Sequence, residues 1–555
     1  MNISHLRRFS DLARDYITAF DSSPIQKFYP LSPTVRGAAL VSLIEDRVKR
    51  SSTDPEKEHR KVLVETLRRQ HSDAGTLTQK VEENLKSLAS EKCCAIVTGQ
   101  QVGIFGGPLY TIYKALHTII LANEFRTLFP EYHFVPVFWQ ETEDHDFEET
   151  SFINIITSNF ELRRITYESS EDISRRQVGG ISFEKEALER AYSEIESFIP
   201  KTDFTDEVLA LYRSAYQEGF TFAEAQAAYL GELLSDEGLL ILNPNSAELK
   251  KHAAGIFRKE IETAPYLSGR INAVGKELVA SGYHAQLEQE GMNLFLADSG
   301  KRYKVSKTET GFSYNSVAIS GEKLNEMLDE HPERFSMNVV MRPLVQDTIL
   351  PTIAYSAGPG EIAYFAQLRA AYEWAGIAMP LIVPRIGMTI LEDRFDKLFA
   401  KYTITAEDFL QRSDEILKTL LQTEQETVLS EAFTKVQTNI DALLESVRPV
   451  ISETDTTLDP ALTTLKGKLL TAVKDFESKS LAAERKKQSG TKQQFEKAMN
   501  VLLPYGKLQE RELNLLYFLN KYGLQYWQQL KATMIANPPD FREHQIVTLA
   551  DILKT

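Results

Sequence analysis

Cysteine is almost missing from this chain: its 555 residues include two, Cys93 and Cys94, side by side. An adjacent pair can build neither a disulfide framework nor a zinc cluster. No histidine stands near them in the pattern, so they read as small buried apolar groups rather than nucleophiles. The setting this implies is reducing and cytoplasmic. Long hydrophobic runs are missing too, and the opening segment Met1–Phe9 lacks the apolar core of a signal peptide; the expectation is a protein neither exported nor inserted in a membrane. Excess basic charge is the third absence. With 63 Lys and Arg against 78 Asp and Glu, the net charge of -15 argues against nucleic-acid binding, which draws on clustered cations. What remains is an ordinary globular composition, 43% hydrophobic and 25% charged, on a chain too long for one ordinary core.

The stretch from Ile96 to Thr150 organises the rest. It runs Thr98-Gly99-Gln100-Gln101-Val102-Gly103-Ile104-Phe105-Gly106-Gly107-Pro108, then a helix carrying Tyr110, Tyr113 and Lys114, then Pro136-Val137-Phe138-Trp139 and the acidic tip Glu143-Asp144-His145-Asp146. An apolar strand feeding a glycine-rich turn and a helix is how α/β folds bring backbone N–H groups to an anion. The second strand should pair in parallel with the first and place the acidic tip beside the glycine loop. The loop has neither the Gly-x-Gly-x-x-Gly order of dinucleotide sites nor a Gly-Lys-Ser/Thr ending, so a tight turn with positive φ angles and a ligand site both remain open. Gln100, Gln101 and Lys114 favour a ligand. At the tip, three carboxylates around one imidazole suit a general base with an orienting acid or a magnesium site, against the alternative of a solvated helix-capping turn.

Along the chain, residues 1–90 read as a helical flank of the core, 91–180 as its first half, 181–220 as a first insertion and 221–282 as core again. Residues 283–335 read as a second insertion of short strands over the sheet, and 336–394 as the second half of the core. In that half lie Arg342-Pro343-Leu344-Val345-Gln346-Asp347 and a second glycine block, Tyr355-Ser356-Ala357-Gly358-Pro359-Gly360-Glu361-Ile362-Ala363-Tyr364. Arg342 and Arg385 each neighbour a proline at an expected strand edge, where they could clamp a carboxylate or phosphate or form structural ion pairs. Tyr355 and Tyr364 read as ligand contacts or as core aromatics with satisfied hydroxyls. Lys307 sits in a stretch resembling the lysine loop of class I aminoacyl-tRNA synthetases, a coincidence unless it reaches the cleft. Residues 395–502 carry two seams, Phe433, Val436, Ile440, Leu443, Val447 and Leu462, Leu465, Leu469, Val473, Phe476, predicting an antiparallel helical hairpin with its turn between Pro449 and Pro460. Residues 503–555, with an aromatic-rich helix expected over Leu513 to Leu530, should dock back on the body.

Taken together, Thr98-Gly99-Gln100-Gln101, Gly107 to Lys114, Pro136 to Trp139, Glu143 to Glu149, Arg342 to Asp347, Gly358 to Glu361 and Gln509-Glu510-Arg511 resemble the bacillithiol biosynthesis cysteine-adding enzyme family, in family order over most of the chain. The resemblance implies an α/β, Rossmann-like parallel-sheet core with connecting-peptide insertions and a C-terminal α-helical antiparallel coiled coil that makes a homodimer. It implies amide formation between cysteine and glucosaminyl-malate, the last step of bacillithiol synthesis. Its core is similar to class I nucleotidyltransferases, whose His-x-Gly-His slot would be Tyr110-Thr111-Ile112-Tyr113 here, without either histidine. ATP and Mg2+ are the expected cofactors for activating the cysteine carboxylate, with no structural metal. Catalytic candidates are Glu143, Asp144, His145 and Asp146. Binding candidates are Thr98, Gln100, Gln101, Gly103, Gly106, Gly107, Tyr110, Tyr113, Lys114 and Trp139 in the first half, and Arg342, Gln346, Asp347, Tyr355, Gly358, Gly360, Glu361, Tyr364 and Arg385 in the second. The rivals are another ATP-dependent ligase or nucleotidyltransferase, and a non-enzymatic coiled-coil scaffold. Convergence of tip, loops and arginines in one concave pocket would argue against the scaffold.

Overall fold

The computed structural model describes residues 1–6, 9–421 and 424–553; Arg7 and Arg8 of the opening segment lie outside the described residues. The chain divides into two compact units, Met1–Asp393 with Pro504–Thr555, and Arg394–Leu503.

The first unit is built on a five-stranded parallel sheet. Its elements in chain order are β1 (Cys93–Gln101), α1 (Leu109–Leu128), β2 (His133–Glu141), β3 (Leu240–Leu242), α2 (Arg342–Ile349), β4 (Thr352–Ala357), α3 (Pro359–Ala375) and β5 (Leu381–Pro384). The spatial order is β5-β4-β1-β2-β3, every pair parallel. These strands are apolar on both faces because both faces are covered: Leu40, Leu43 and Ile44 of the N-terminal helix Ala38–Ser51 pack with Cys94, Ile96, Leu121, Phe125, Ile353 and Val383 in one core cluster. The N-terminal helices thus flank the sheet. Cys93 and Cys94 open β1; both are buried free thiols, and burial pushes Cys94 up to about 12.

Three local expectations change. Strand β1 runs through Gln101, so Gly99 and both glutamines are strand residues and the true turn is shorter. Arg342 opens helix α2 rather than sitting at a strand edge, because Pro343 pre-sets a helical first turn. The aromatic helix near the C-terminus is two helices, Leu516–Tyr522 and Leu524–Ala536, parted at Gly523 with φ +81°. The C-terminal segment returns to the body through β6 (Gly387–Leu391), which pairs in parallel with β7 (His544–Thr548). Between β3 and α2, a separate antiparallel sheet joins Leu294–Asp298 to Lys301–Lys304 and Phe335–Met337.

The second unit contains two long helices, α4 (Glu424–Thr454) and α5 (Asp459–Leu502). Contacts near the turn join Arg448 to Asp459 and Glu445 to Lys466, and those far from it join Gln437 to Glu477 and Phe433 to Phe476, so the hairpin is antiparallel. Pro449 lies inside α4, and the turn is Asp455–Leu458, with Asp455 accepting from Thr457 N.

Candidate active site

Chain order runs from β1 outward to β2 and β3 on one side, then reverses to β4 and β5 on the other. In open parallel sheets ligands bind at such a reversal, outside the carboxyl ends of the strands. A cleft of about 630 Å³ lies there. It brings together Gln100 and Gln101 from β1, Glu141 from β2, Glu143, Asp144 and His145 from the acidic tip, Gly358, Gly360 and Glu361 from the second glycine block, and Arg342 and Arg385. Tyr110, Lys114 and Tyr364 line it as well.

Its floor is a charged network crossing from one half of the sheet to the other. Arg342 Nε pairs with Glu141 Oε1 at 3.0 Å, Nη1 donates to Gln346 Oε1 at 3.0 Å and Tyr355 OH at 3.3 Å, and Nη2 donates to Tyr364 OH at 2.9 Å. Tyr355 in turn donates to Glu361 Oε1 at 2.7 Å, while Glu361 Oε2 meets Lys114 Nζ at 2.6 Å and accepts from Gly358 N at 2.6 Å. Lys114 also donates to Gly99 O at 2.8 Å. Burial pulls the Lys114 ammonium down, while the ion pair with Lys114 and the Gly358 amide hold Glu361 down against its own burial. Glu141 behaves differently: burial pushes it up to about 7, outweighing the Arg342 guanidinium, and the charges of Asp144, Glu143 and Glu361 push the same way. A Cβ on Gly99 would sit 3.2 Å from Glu141 Oε1 and 3.3 Å from Tyr355 OH, so a side chain there would press on this network.

The acidic tip is divided by its partners. Glu143 is held by buried Lys250, which also donates to Asn245 Oδ1 and the carbonyls of Glu333 and Phe335. Asp144 accepts from Gln101 Nε2 at 2.6 Å and from the His145 amide at 2.7 Å. His145 Nδ1 lies 3.0 Å from Arg302 Nη1, a donor, so Nδ1 accepts and the ring proton belongs on Nε2. Asp146 is an N-cap, accepting from Glu149 N at 3.2 Å, and is outside the cleft lining. Among the described residues no three His, Cys, Asp or Glu side chains are grouped to hold a metal ion.

A family model described as "Bacillithiol biosynthesis BshC, N-terminal Rossmann-like domain" matches residues 1–386, and one described as the "C-terminal coiled-coil domain" of the same family matches residues 388–549. The chain belongs to the BshC family. Proteins named "Putative cysteine ligase BshC" from Salinibacter ruber and Chloroherpeton thalassium are 35% and 34% identical to it, each alignment covering 98% of this chain and 97% of the relative. One from Bacillus velezensis is 28% identical over 84% of this chain and 87% of its own length. Members of the family are thus named as ligases, and the Rossmann-like core with its coiled-coil domain is the fold described above.

Other motif positions of this BshC family member lie behind the cleft rather than in its lining. Thr98 Oγ1 donates to Ser356 O at 2.9 Å and cross-links β1 to β4. Trp139 and Tyr113 are core residues, Tyr355 and Gln346 back the Arg342 network, and Asp347 accepts from Tyr372 OH at 2.6 Å. The Gly103–Gly107 turn is folded inward: Gly106 N donates to Tyr216 OH at 2.7 Å, and Gly103 O accepts from the same hydroxyl at 3.0 Å. Lys307 donates to Ala264 O at 2.8 Å and is not a cleft residue, so its likeness to the synthetase lysine loop is a coincidence.

Several cleft residues escape sequence reasoning. Glu141 carries a local signal, an acid at the carboxyl end of a buried strand. Arg302 and Phe295 carry none, arriving on the antiparallel sheet from about 150 residues downstream, with Arg302 Cζ 3.8 Å from the Phe295 ring centroid. Arg511 belongs to the Gln509-Glu510-Arg511 motif, which by itself assigns it no role. Five acids and five Lys or Arg line the cleft, and Arg511 is the one of these cations with no side-chain hydrogen bond or ion pair among the described residues. Arg385, by contrast, pairs with buried Glu510 at 2.6 Å.

Proposed function

We propose that this chain joins cysteine to glucosaminyl-malate through an amide, the last step of bacillithiol synthesis. Family membership supports the reaction class, and the observation that carries the mechanism is Glu141. Amide formation needs a neutral amine, and a carboxyl poised near 7 at the carboxyl end of β2 exchanges a proton at working pH. Glu141 takes the proton of the attacking amine. Asp144, beside it on the tip, orients that amine. His145 presents Nε2–H to the acyl oxygen of cysteine, its ring held by Arg302. Arg342 keeps a compensating positive charge against Glu141 through the reaction. The convergence of tip, second glycine block and arginines in one cleft speaks against a scaffold that binds partners through the hairpin alone.

A free carboxylate does not acylate an amine in water, so we propose ATP with Mg2+ as the source of activation. The groups expected to cradle its phosphates do not fit that part: Lys114 is committed to Glu361, and the Gly106 amide to Tyr216. Binding, proton transfer and charge compensation in the cleft fall to the chain's own side chains. We also propose a cytoplasmic setting, in keeping with two free thiols, and a homodimer through the hairpin, in keeping with its exposed apolar seam. No helix among the described residues is long and apolar enough to cross a membrane.

The deciding measurement is mass spectrometry of purified protein with cysteine and glucosaminyl-malate, with and without ATP and Mg2+. Product only with ATP is the expected result. Product without ATP would remove the nucleotide from the reaction, and no product from folded protein in either arm would refute the ligase reading.

A further inference from the structure

Beside the main cleft lies a recess of about 210 Å³. The two share Gln100, Gln101, Tyr110, Glu149 and Arg511. The recess is lined by Gly107 and Pro108 ahead of α1, by Thr111 in its first turn, and by Asn154 of the strand Phe152–Ile156. Two buried side-chain oxygens on it, Thr111 Oγ1 and Asn154 Oδ1, have no hydrogen-bond partner. Each belongs to a residue 1% exposed. A Cβ built on Gly107 would meet Thr111 Oγ1 at 3.6 Å and nothing else within 4 Å, so this hydroxyl borders the open space. Asn154 Nδ2 donates to Glu512 Oε2 at 3.1 Å, which fixes the orientation of the amide and leaves Oδ1 as an acceptor. Buried polar atoms are rarely left unpaired, so this pair points to a ligand.

The electrostatics agree. By its place in the first turn, the Tyr110 N–H has no intrahelical acceptor, and a helix N-terminus favours an anion. Arg511 adds an uncommitted guanidinium, whereas Lys507 is paired with Glu512 at 2.6 Å. The ligand must therefore bring an oxyanion for Arg511 and the Thr111 hydroxyl, and also a hydroxyl or N–H for Asn154 Oδ1. Inorganic phosphate keeps a P–OH at neutral pH and can meet both demands on one small ion; a sugar bearing a carboxylic acid meets them with two separate groups, and is the ligand that the reading above supplies.

We propose that this recess binds the sugar-acid end of the amine substrate, with a carboxylate on Arg511 and Thr111 and a sugar hydroxyl on Asn154. This rests on the reading above for the identity of that substrate, and it moves the carboxylate contact away from Arg342 and Arg385, whose guanidinium groups are committed to Glu141 and Glu510. Gln101, bonded to Asp144, leads from the recess to the acidic tip. A substrate anchored in the recess thereby presents its amine towards Glu141.

The test is calorimetric titration of wild-type protein and of Arg511→Gln, Arg511→Lys and Thr111→Val with glucosaminyl-malate, free malate and inorganic phosphate, together with KM and kcat for the amine substrate. We expect Arg511→Gln to weaken glucosaminyl-malate at least tenfold, Arg511→Lys to restore part of that loss, and Thr111→Val to weaken it severalfold. KM for the amine substrate should rise by more than kcat falls. Wild-type affinity in both Arg511→Gln and Thr111→Val would overturn the proposal, as would Arg511-dependent binding of phosphate without binding of either malate compound. Arg511-dependent binding without formation of a cysteine amide would keep the recess and refute the ligase. Amide formation with unchanged KM in the variants would keep the ligase and refute the recess.

Discussion

The Glu141 carboxyl, raised to about 7 by burial, has two pH consequences of opposite sign. For stability, the unfolded carboxyl near its ordinary value of about 4.3 binds fewer protons than the folded one in the window up to about 7. Its contribution to folding is fully present below that ordinary value and is lost as pH rises through about 7. For catalysis the ionised form is the working base, so kcat/KM should climb with pH through about 7 and then level. Glu141→Gln should lower kcat by about 10²- to 10⁴-fold and remove the climb. A pH–rate profile checks this, and a variant that keeps the climb would take Glu141 out of proton transfer. The same scale explains why Arg342 reads as a substrate clamp in the sequence. Its motif shows a cation beside a proline, but not the Glu141, Tyr355 and Tyr364 groups that engage it after folding.

At the scale of an element, the first glycine turn illustrates how a motif that suggests a ligand can answer to packing. Gly106 has φ +82°, and a Cβ on it would sit 2.2 Å from Tyr229 Cε1, so its glycine is demanded by packing. Phe105, also left-handed at φ 50°, inserts its ring among Tyr192, Tyr212 and Tyr216. Gly106→Ala should therefore cost at least about 1–2 kcal/mol from the left-handed backbone alone, with further loss from moving Tyr229. Urea denaturation followed by Trp fluorescence reads this as a lowered midpoint, and an unchanged midpoint would contradict the packing argument. Helix α4 teaches a related lesson. Pro449 marks a helix break on local rules, yet α4 continues to Thr454. A proline removes one N–H and strains one turn, and Asp459 holds both sides of the position, pairing with Arg448 and accepting from Ser452 Oγ.

For the whole molecule, the hairpin unit leaves part of its apolar seam in solvent. Leu443 is 67% and Val450 65% exposed, beyond what scattered surface apolar residues require. Burying such a seam against a second copy is the simplest way to remove it from water. Light scattering should give a mass twice the 62.9 kDa of one chain, and Leu443→Glu with Val450→Glu should return it to a single chain while the helical circular dichroism persists. A wild-type protein at the mass of one chain would rule the dimer out.

What the sequence determined by itself is the pattern that backbone periodicity and turn chemistry control. It specified the strands now seen at Cys93–Gln101, His133–Glu141 and Leu381–Pro384, although with the first ending before Gly99, together with the helices that follow the glycine blocks and two long seams in the helical hairpin. The family motifs could be read directly because they cluster at strand ends. Tertiary structure alone decided which of those residues face a ligand. Arg302 and Phe295 enter the cleft from a separate sheet, Lys250 claims Glu143, and two oxygens, Thr111 Oγ1 and Asn154 Oδ1, are left unpaired on the recess that Arg511 lines. The physical reason is that a side chain's charge state and free hydrogen-bonding capacity depend on partners distant in sequence, brought near only when the sheet, its insertions and the C-terminal segment close around one crevice.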